Sequence, residues 1–138
     1  MHEFDETIRR LRGEGYKVTP QRLAVIRYLL GNTSHPTAAE IFGDLKKKHP
    51  NLSFSTVYNT LNMLEDIGEV QSLNLFDEFL NYDPDTTTHF HLVCRKCNGI
   101  VDIFHSGPEK VDLPRGEVDG HRIEAVQVVL KGICRDCI

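Results

Sequence analysis

Ser53-Phe54-Ser55-Thr56-Val57-Tyr58-Asn59-Thr60-Leu61-Asn62-Met63-Leu64-Glu65-Asp66-Ile67-Gly68 reads as one amphipathic helix with an unusual outer face. Ser53 or Ser55 suits the N-cap, because a serine hydroxyl accepts from N–H groups that the first helical turn leaves unbonded. Val57, Leu61 and Leu64 recur at helical spacing on one side, and Gly68 stops the run. Ser55, Asn59 and Asn62 point away from that side, with Thr56 and Met63 alongside. This outer face is small, polar and uncharged, and hydroxyl and amide groups are what a helix needs to read base edges in a major groove. An ordinary solvated face has the same composition, so the flanking elements must decide.

Upstream, Ile8, Leu11 and Val18 precede Thr19-Pro20, a threonine N-cap followed by proline at the first helical position, where its missing N–H costs nothing. The helix it starts is expected to run to about Leu30, with Leu23, Ile26 and Leu30 as its apolar face and Gly31 as its end. A second start at Pro36-Thr37 sets Ala38, Ile41, Phe42 and Leu45 on one face. Lys46-Lys47-Lys48 then reads as a solvated helix end favoured by the macrodipole. Downstream, Val70 to Leu75 and Phe79 to Asp83 are expected as two short strands across Phe76-Asp77-Glu78. Helices followed by a hairpin give the order of a winged helix-turn-helix.

The formal charge of −4 is unevenly spread: residues 1–50 carry nine Lys/Arg against six Asp/Glu, whereas 51–82 carry five acids and no Lys or Arg. Any DNA lying on this helix is therefore read by polar side chains, with phosphate neutralised from the first 50 residues. No apolar run approaches the roughly 20 residues of a membrane span. The acidic start, Met1-His2-Glu3-Phe4-Asp5, lacks a targeting pattern, so a cytoplasmic location is expected. A chain of 138 residues fits one domain or two small ones, and a half below about 80 residues needs a metal or a partner chain for stability.

All four cysteines fall in two Cys-x-x-Cys pairs, Cys94/Cys97 and Cys134/Cys137. Two such turns brought together supply the four thiolates of a tetrahedral zinc site. The pairs are 36 residues apart, where about 15 to 20 is usual, so the intervening segment must itself be folded. Two disulfides or four free thiols are the alternatives, and the expected location disfavours the first.

Around these pairs, Pro84 to Thr88 reads as a polar linker, and His89 to Val93 and Gly99 to Phe104 read as strands. The stretch containing Gly107, Pro108, Pro114, Gly116 and Gly120 holds at most a short helix. His121 to Leu130 is expected as one further strand. His89-Phe90-His91 puts two imidazoles on the same side of a strand, where they either chelate one metal or form a surface pair. Asp83 and Asp102 flank them in the chain. His2, His49, His105 and His121 read as surface or hydrogen-bonded residues, and spacing alone makes His35 look equally bland.

His35-Pro36-Thr37-Ala38, Ser55-Thr56-Val57-Tyr58-Asn59-Thr60-Leu61, His89-Phe90-His91-Leu92-Val93-Cys94-x-x-Cys97, the closing Cys134-x-x-Cys137 and Gly15-Tyr16-Lys17-Val18-Thr19-Pro20-Gln21-Arg22 together resemble the ferric uptake regulator family over nearly the whole chain. The resemblance implies an α+β protein: a winged helix-turn-helix DNA-binding domain over 1–83, a hinge at 84–88 and a small α/β dimerisation domain over 89–138 with a four-cysteine zinc site. It implies a homodimeric, metal-responsive transcription repressor bound to a double-stranded DNA operator. Within the family the pattern is most similar to the peroxide-sensing branch, because iron-sensing members commonly have Glu where Asp83 stands and Arg where Asn59 stands. That branch implies a regulatory Fe2+ or Mn2+ on His35, Asp83, His89, His91 and Asp102, with His35 or His89 acquiring oxygen when iron meets peroxide. It also implies base contacts from Tyr58 and Asn59, on the face that Ser55 shares, and a backbone or minor-groove contact from Lys17. A metal-uptake regulator responding to iron, zinc or manganese is the near alternative, and a zinc enzyme or a structural zinc-ribbon module are the remote ones.

Overall fold

The computed structural model describes residues 1–104 and 113–138. They form two compact units, Met1–Thr86 and Thr87–Ile138. The short helix allowed near Gly107 and Pro108, and His105, lie outside the described residues.

The first unit is built from α1 (Phe4–Gly13), α2 (Pro20–Leu29), α3 (Ala38–Lys46), α4 (Phe54–Asp66), β1 (Gln71–Leu73) and β2 (Asn81–Asp83). Three of the four helices begin on a side-chain cap. Thr19 accepts from the Arg22 N–H at 3.3 Å, Thr37 from that of Glu40 at 3.1 Å, and Ser53, not Ser55, from that of Thr56 at 3.2 Å. Each such cap is worth about 1 kcal/mol. Leu11, Val25, Ile26, Leu29, Ile41, Val57, Leu61, Leu64 and Tyr82 are core residues.

Two side chains depart from the expected pattern. The α2 helix closes at Leu29, and Leu30 turns extended with ψ 116° and swings out to 42% exposure, so Val25 and Leu29 take the core positions. Met63 is buried rather than set beside the polar face. The cause is that α4 packs against both α2 and α3, which buries a wider arc than one stripe. The hairpin is also shorter than its apolar runs: β1 and β2 pair antiparallel only from Gln71↔Asp83 to Leu73↔Asn81. Beyond Leu73 the chain leaves the ladder, and the Phe76 and Phe79 rings pack on each other at 5.1 Å instead.

In the second unit, β3 (Phe90–Cys94), β4 (Ile100–Ile103), β5 (Gly116–Val118), β6 (His121–Ile123) and β7 (Val129–Gly132) form two sheets, one of order β4-β3-β7 and one of β5-β6. The expected single strand from His121 to Leu130 is divided. Its first part turns back on β5 through Asp119 and Gly120, both left-handed at φ 50° and 81°, while its last part pairs parallel with β3. A run of Val and Ile signals a strand without saying which partner each half will take.

Glu69, at the junction of α4 and β1, is a fully buried carboxylate that closes the first unit. It accepts from the His2 backbone N–H at 2.8 Å, His2 Nδ1 at 2.7 Å, the Thr7 hydroxyl at 3.3 Å and the Arg10 guanidinium, which also donates to the Ile67 carbonyl. Burial alone pushes its carboxyl up, but the bonds from His2 and then Arg10 prevail and hold it below the ordinary glutamate value. A lowered folded-state pKa stabilises above the unfolded value and is lost as pH falls through the folded one. Glu69→Gln is therefore expected to cost about 1 to 3 kcal/mol at neutral pH. In urea unfolding of parent and variant, that gap should shrink as pH drops below the glutamate range, and a gap independent of pH would rule out the ionised clamp.

Candidate metal centres and nucleic-acid face

The parallel register of β3 on β7 pairs Cys94 with Gly132, so both cysteine turns leave the same end of the sheet side by side. That pairing makes the long spacing workable. The first turn is closed by Asn98 N–H on the Cys94 carbonyl at 2.9 Å, with Asn98 left-handed at φ 57°, and the second by Cys137 N–H on the Cys134 carbonyl at 3.0 Å. The four Sγ atoms lie within 4.8 Å of one another, and Cys97 and Cys134 are 3.8 Å apart. A tetrahedron with zinc–sulfur bonds of about 2.3 Å has edges of about 3.8 Å, so the cluster fits zinc.

The thiols also disagree in a way that a dication resolves. Backbone N–H groups, that of Cys134 first and then that of Cys97, bring Cys94 down to about 6, while hydrogen bonding with Cys134 and then Cys97 pushes Cys137 up to about 12. Four sulfurs this close cannot all ionise until a cation sits among them. Cys94→Ser is expected to drop zinc below one ion per chain, and to destabilise the fold by a large part of the roughly 10 kcal/mol or more that such sites contribute. Elemental analysis with thermal denaturation checks this, and a variant keeping one tightly held zinc would refute it.

The imidazoles and carboxylates form two half-sets. In the second unit the β3–β4 register sets His91 opposite Asp102, and the Nε2 atoms of His89 and His91 each lie 3.3 Å from Asp102 Oδ1. Both histidines are buried. His89 Nδ1 is 2.6 Å from the Thr87 carbonyl, so that nitrogen carries the proton and Nε2 keeps its lone pair for a ligand. In the first unit, His35 Nε2 lies 3.6 Å from Asp83 Oδ2, both side chains being buried. The His35 backbone is left-handed at φ 52°, which costs a non-glycine residue on the order of 1 kcal/mol or more. β2 holds it there: Asn81 Nδ2 donates to the His35 carbonyl at 2.8 Å, and the Tyr82 N–H to that of Pro36 at 2.9 Å.

Lys17, Ser55, Tyr58 and Asn59 are all exposed in the first unit, the last three on α4. A cleft of about 540 Å³ between the segment following α1 and the outer face of α4 is lined by Tyr16, Lys17, Gln21, Arg22, Thr56 and Asn59. Arg22 donates to the Lys17 carbonyl, which shapes the approach to this cleft.

A model of the Ferric uptake regulator family matches residues 13–131. The chain belongs to the ferric uptake regulator family. The Peroxide-responsive repressor PerR of Staphylococcus epidermidis is 38% identical over 136 residues, covering 99% of this chain and 91% of that protein. The Peroxide operon regulator of Bacillus subtilis is 35% identical over 136 residues, covering 99% and 94%. Among solved structures, PerR from Streptococcus pyogenes matches with TM-score 0.57 at 30% identity, covering 100% of this chain and 95% of that one. The ferric uptake regulator Fur of Helicobacter pylori matches with TM-score 0.75 over 99% and 94%, and at 22% identity it shows the shared fold alone.

Sequence reasoning about this family member missed Gln21, Arg22 and Thr56 as cleft residues, and Thr87 as the anchor of His89, a candidate ligand. Arg22 carries a signal, since it is a cation in the first turn of the helix that begins at Thr19-Pro20. A backbone carbonyl such as that of Thr87 has none, because every residue type supplies it.

Proposed function

We propose that this chain is a metal-dependent, DNA-binding repressor that senses hydrogen peroxide through oxidation of a ligand histidine, His35 or His89, and works as a homodimer on a double-stranded operator. What carries the proposal is the donor set of the two half-sets, His35 with Asp83 and His89 with His91 and Asp102, which are buried or half-buried, each histidine lying within 3.6 Å of the carboxylate in its half-set. Such nitrogen and oxygen donors suit Fe2+ or Mn2+, whereas the four thiolates suit zinc. The similarity to proteins named as peroxide-responsive supports the choice of stimulus.

Held by His35, Asp83, His89, His91 and Asp102, Fe2+ would supply redox chemistry toward peroxide, and Mn2+ would supply the same charge without it. The chain's own residues do the rest. Asp83 and Asp102 offset the charge of a dication, Thr87 keeps the lone pair of His89 on Nε2, and Asn81 holds His35 in place. His35 and Asp83 precede the proposed hinge at 84–88, and the other three ligands follow it. One ion taking all five ligands would convert binding energy into a fixed pose of the two halves, and loss of one imidazole would release it. Val126 and Leu130 are exposed apolar side chains of the second unit and favour a second copy as cover.

On DNA, Asn59, with Tyr58 and Ser55 beside it, is assigned to base edges, and Lys17 to the phosphate backbone or minor groove. Asn59→Ala should relax discrimination at one base position by about 1 to 3 kcal/mol, whereas Lys17→Ala should weaken every sequence alike and reduce the salt slope. Operator variants titrated at two salt concentrations separate these outcomes, and identical effects of both substitutions would remove Asn59 as a reader.

The deciding experiment is a mobility-shift titration with Fe2+ and with Mn2+, each before and after dilute peroxide. Peroxide should abolish DNA binding of the iron form only, with one oxygen atom gained at His35 or His89. Asp102→Ala should remove both the metal-dependent binding and the oxidation, since it deletes one of two carboxylates that hold a hard dication. Metal-dependent binding untouched by peroxide would identify a metal-uptake regulator instead.

A further inference from the structure

Phe104, directly after β4, lies over His89. Its ring is stacked on the imidazole at 23° with centroids 5.0 Å apart, and its other side is open to solvent, at 61% exposure. A lone exposed apolar ring is ordinary on a protein surface. A ring that covers one face of a buried metal-ligand candidate is a different matter, because the reactive π system of an imidazole is approached through its faces. The imidazole cannot turn out from under this cover, since Nδ1 is tied to the Thr87 carbonyl at 2.6 Å and Nε2 faces Asp102 at 3.3 Å. His91 stands edge-on to the same ring, at 61° and 4.5 Å.

We infer that Phe104 shields His89 from oxidants and so sets how oxygen insertion is divided between His89 and His35. This rests in part on the peroxide-sensing function proposed above. In the insertion, the O–O bond of hydrogen peroxide breaks, one oxygen bonds to the ring carbon between the two nitrogens, and that carbon is oxidised by two electrons. The other oxygen leaves as water with the displaced hydrogen. Phe104 binds nothing in this step. It closes one of the two faces through which the ring carbon is reached.

The test has an iron-free arm and an iron arm, each on Phe104→Ala, Phe104→Leu and Phe104→Trp beside the parent protein. In protein that keeps its zinc but carries no Fe2+ or Mn2+, photochemically generated singlet oxygen, which adds to imidazole faces without any metal, should consume His89 about twofold or more faster in the alanine variant, because a covered face is freed. Leucine should fall between alanine and the parent, and tryptophan, which keeps a flat cover, should match the parent. In Fe2+-loaded protein given limiting peroxide, fragment mass spectra of tryptic peptides 28–46 and 49–95 report oxygen at His35 and at His89. Their ratio should move toward His89 by a similar factor in the alanine variant and by less in the leucine variant. Unchanged photooxidation of His89 in both variants, at parental zinc content, would overturn the shield, as would an iron-arm ratio that stays fixed or moves toward His35. If the parent gains no oxygen at either histidine, the peroxide-sensing function fails, while the iron-free arm still decides whether Phe104 is a shield.

Discussion

Among its described residues, the second unit buries no aliphatic or aromatic side chain; what it buries is Cys94, Cys134, His89 and His91. A unit of this size cannot stabilise itself on apolar burial alone. Its interior consists of groups that prefer water unless something binds them, and clustered thiols and paired imidazoles are satisfied by metal. The four-thiol cluster therefore stands where a hydrophobic core would stand in a larger domain, and metal occupancy is expected to be linked to folding of this unit. The parallel pairing of β7 on β3 comes first in this dependence, because without it the two cysteine turns have no reason to be adjacent.

The first unit solves the opposite problem, since its core is ample and its polar groups must be aimed. β2 does this residue by residue. Asn81 holds the carbonyl of His35, Tyr82 sits in the core with Val57 and Leu61 of α4, and Asp83 faces His35. Burial, and after it Tyr58 and Glu65, pushes the Tyr82 phenol up to about 12, so it remains a neutral packing element at any physiological pH. A shift of His35 or Asp83 is thus tied to the strand whose Tyr82 packs in the core with Val57 and Leu61. Close-packed interiors pass such displacements on rather than absorb them. At the far end of α4, the Glu69 clamp ties the helix terminus to α1, after which comes the segment carrying Lys17. The residues assigned to base edges and to phosphate are therefore held by one set of contacts.

Much of this was legible in the sequence because it depends on local rules. Thr19-Pro20, Thr37 and Ser53 announce helix starts through the chemistry of unbonded N–H groups, and Gly31 and Gly68 announce stops through left-handed φ values of 70° and 75°. The cysteine pairs and His-x-His mark candidate ligands through residue type and spacing. What stayed hidden depends on partners distant in the chain. Met63 is buried because α4 has two neighbours, the His121 to Leu130 run is divided because its halves pair with different strands, and Glu69 looks like any surface glutamate until His2, Thr7 and Arg10 surround it. His35 is the instructive case, since spacing says nothing of it and family resemblance alone proposed it as a ligand. Its left-handed backbone beside Asp83 is visible only after folding.

The two candidate ligand sets of the second unit are also kept apart by a single strand. His91 and Cys94 are three residues apart on β3, which places them on opposite faces and separates them by about 10 Å of strand rise. Thiolates compete strongly for zinc, and imidazole with carboxylate holds harder divalent ions, so opposite faces let each set fill by its own chemistry. The same separation bears on oxidation. An oxidant generated at the imidazole set meets a ring within contact distance, whereas the sulfurs lie across the sheet and are further passivated once zinc holds them. With the proposed donor assignment, a low dose of peroxide is consumed at an imidazole before it reaches the cluster on which folding of the second unit depends. The response can then end DNA binding without unfolding the chain.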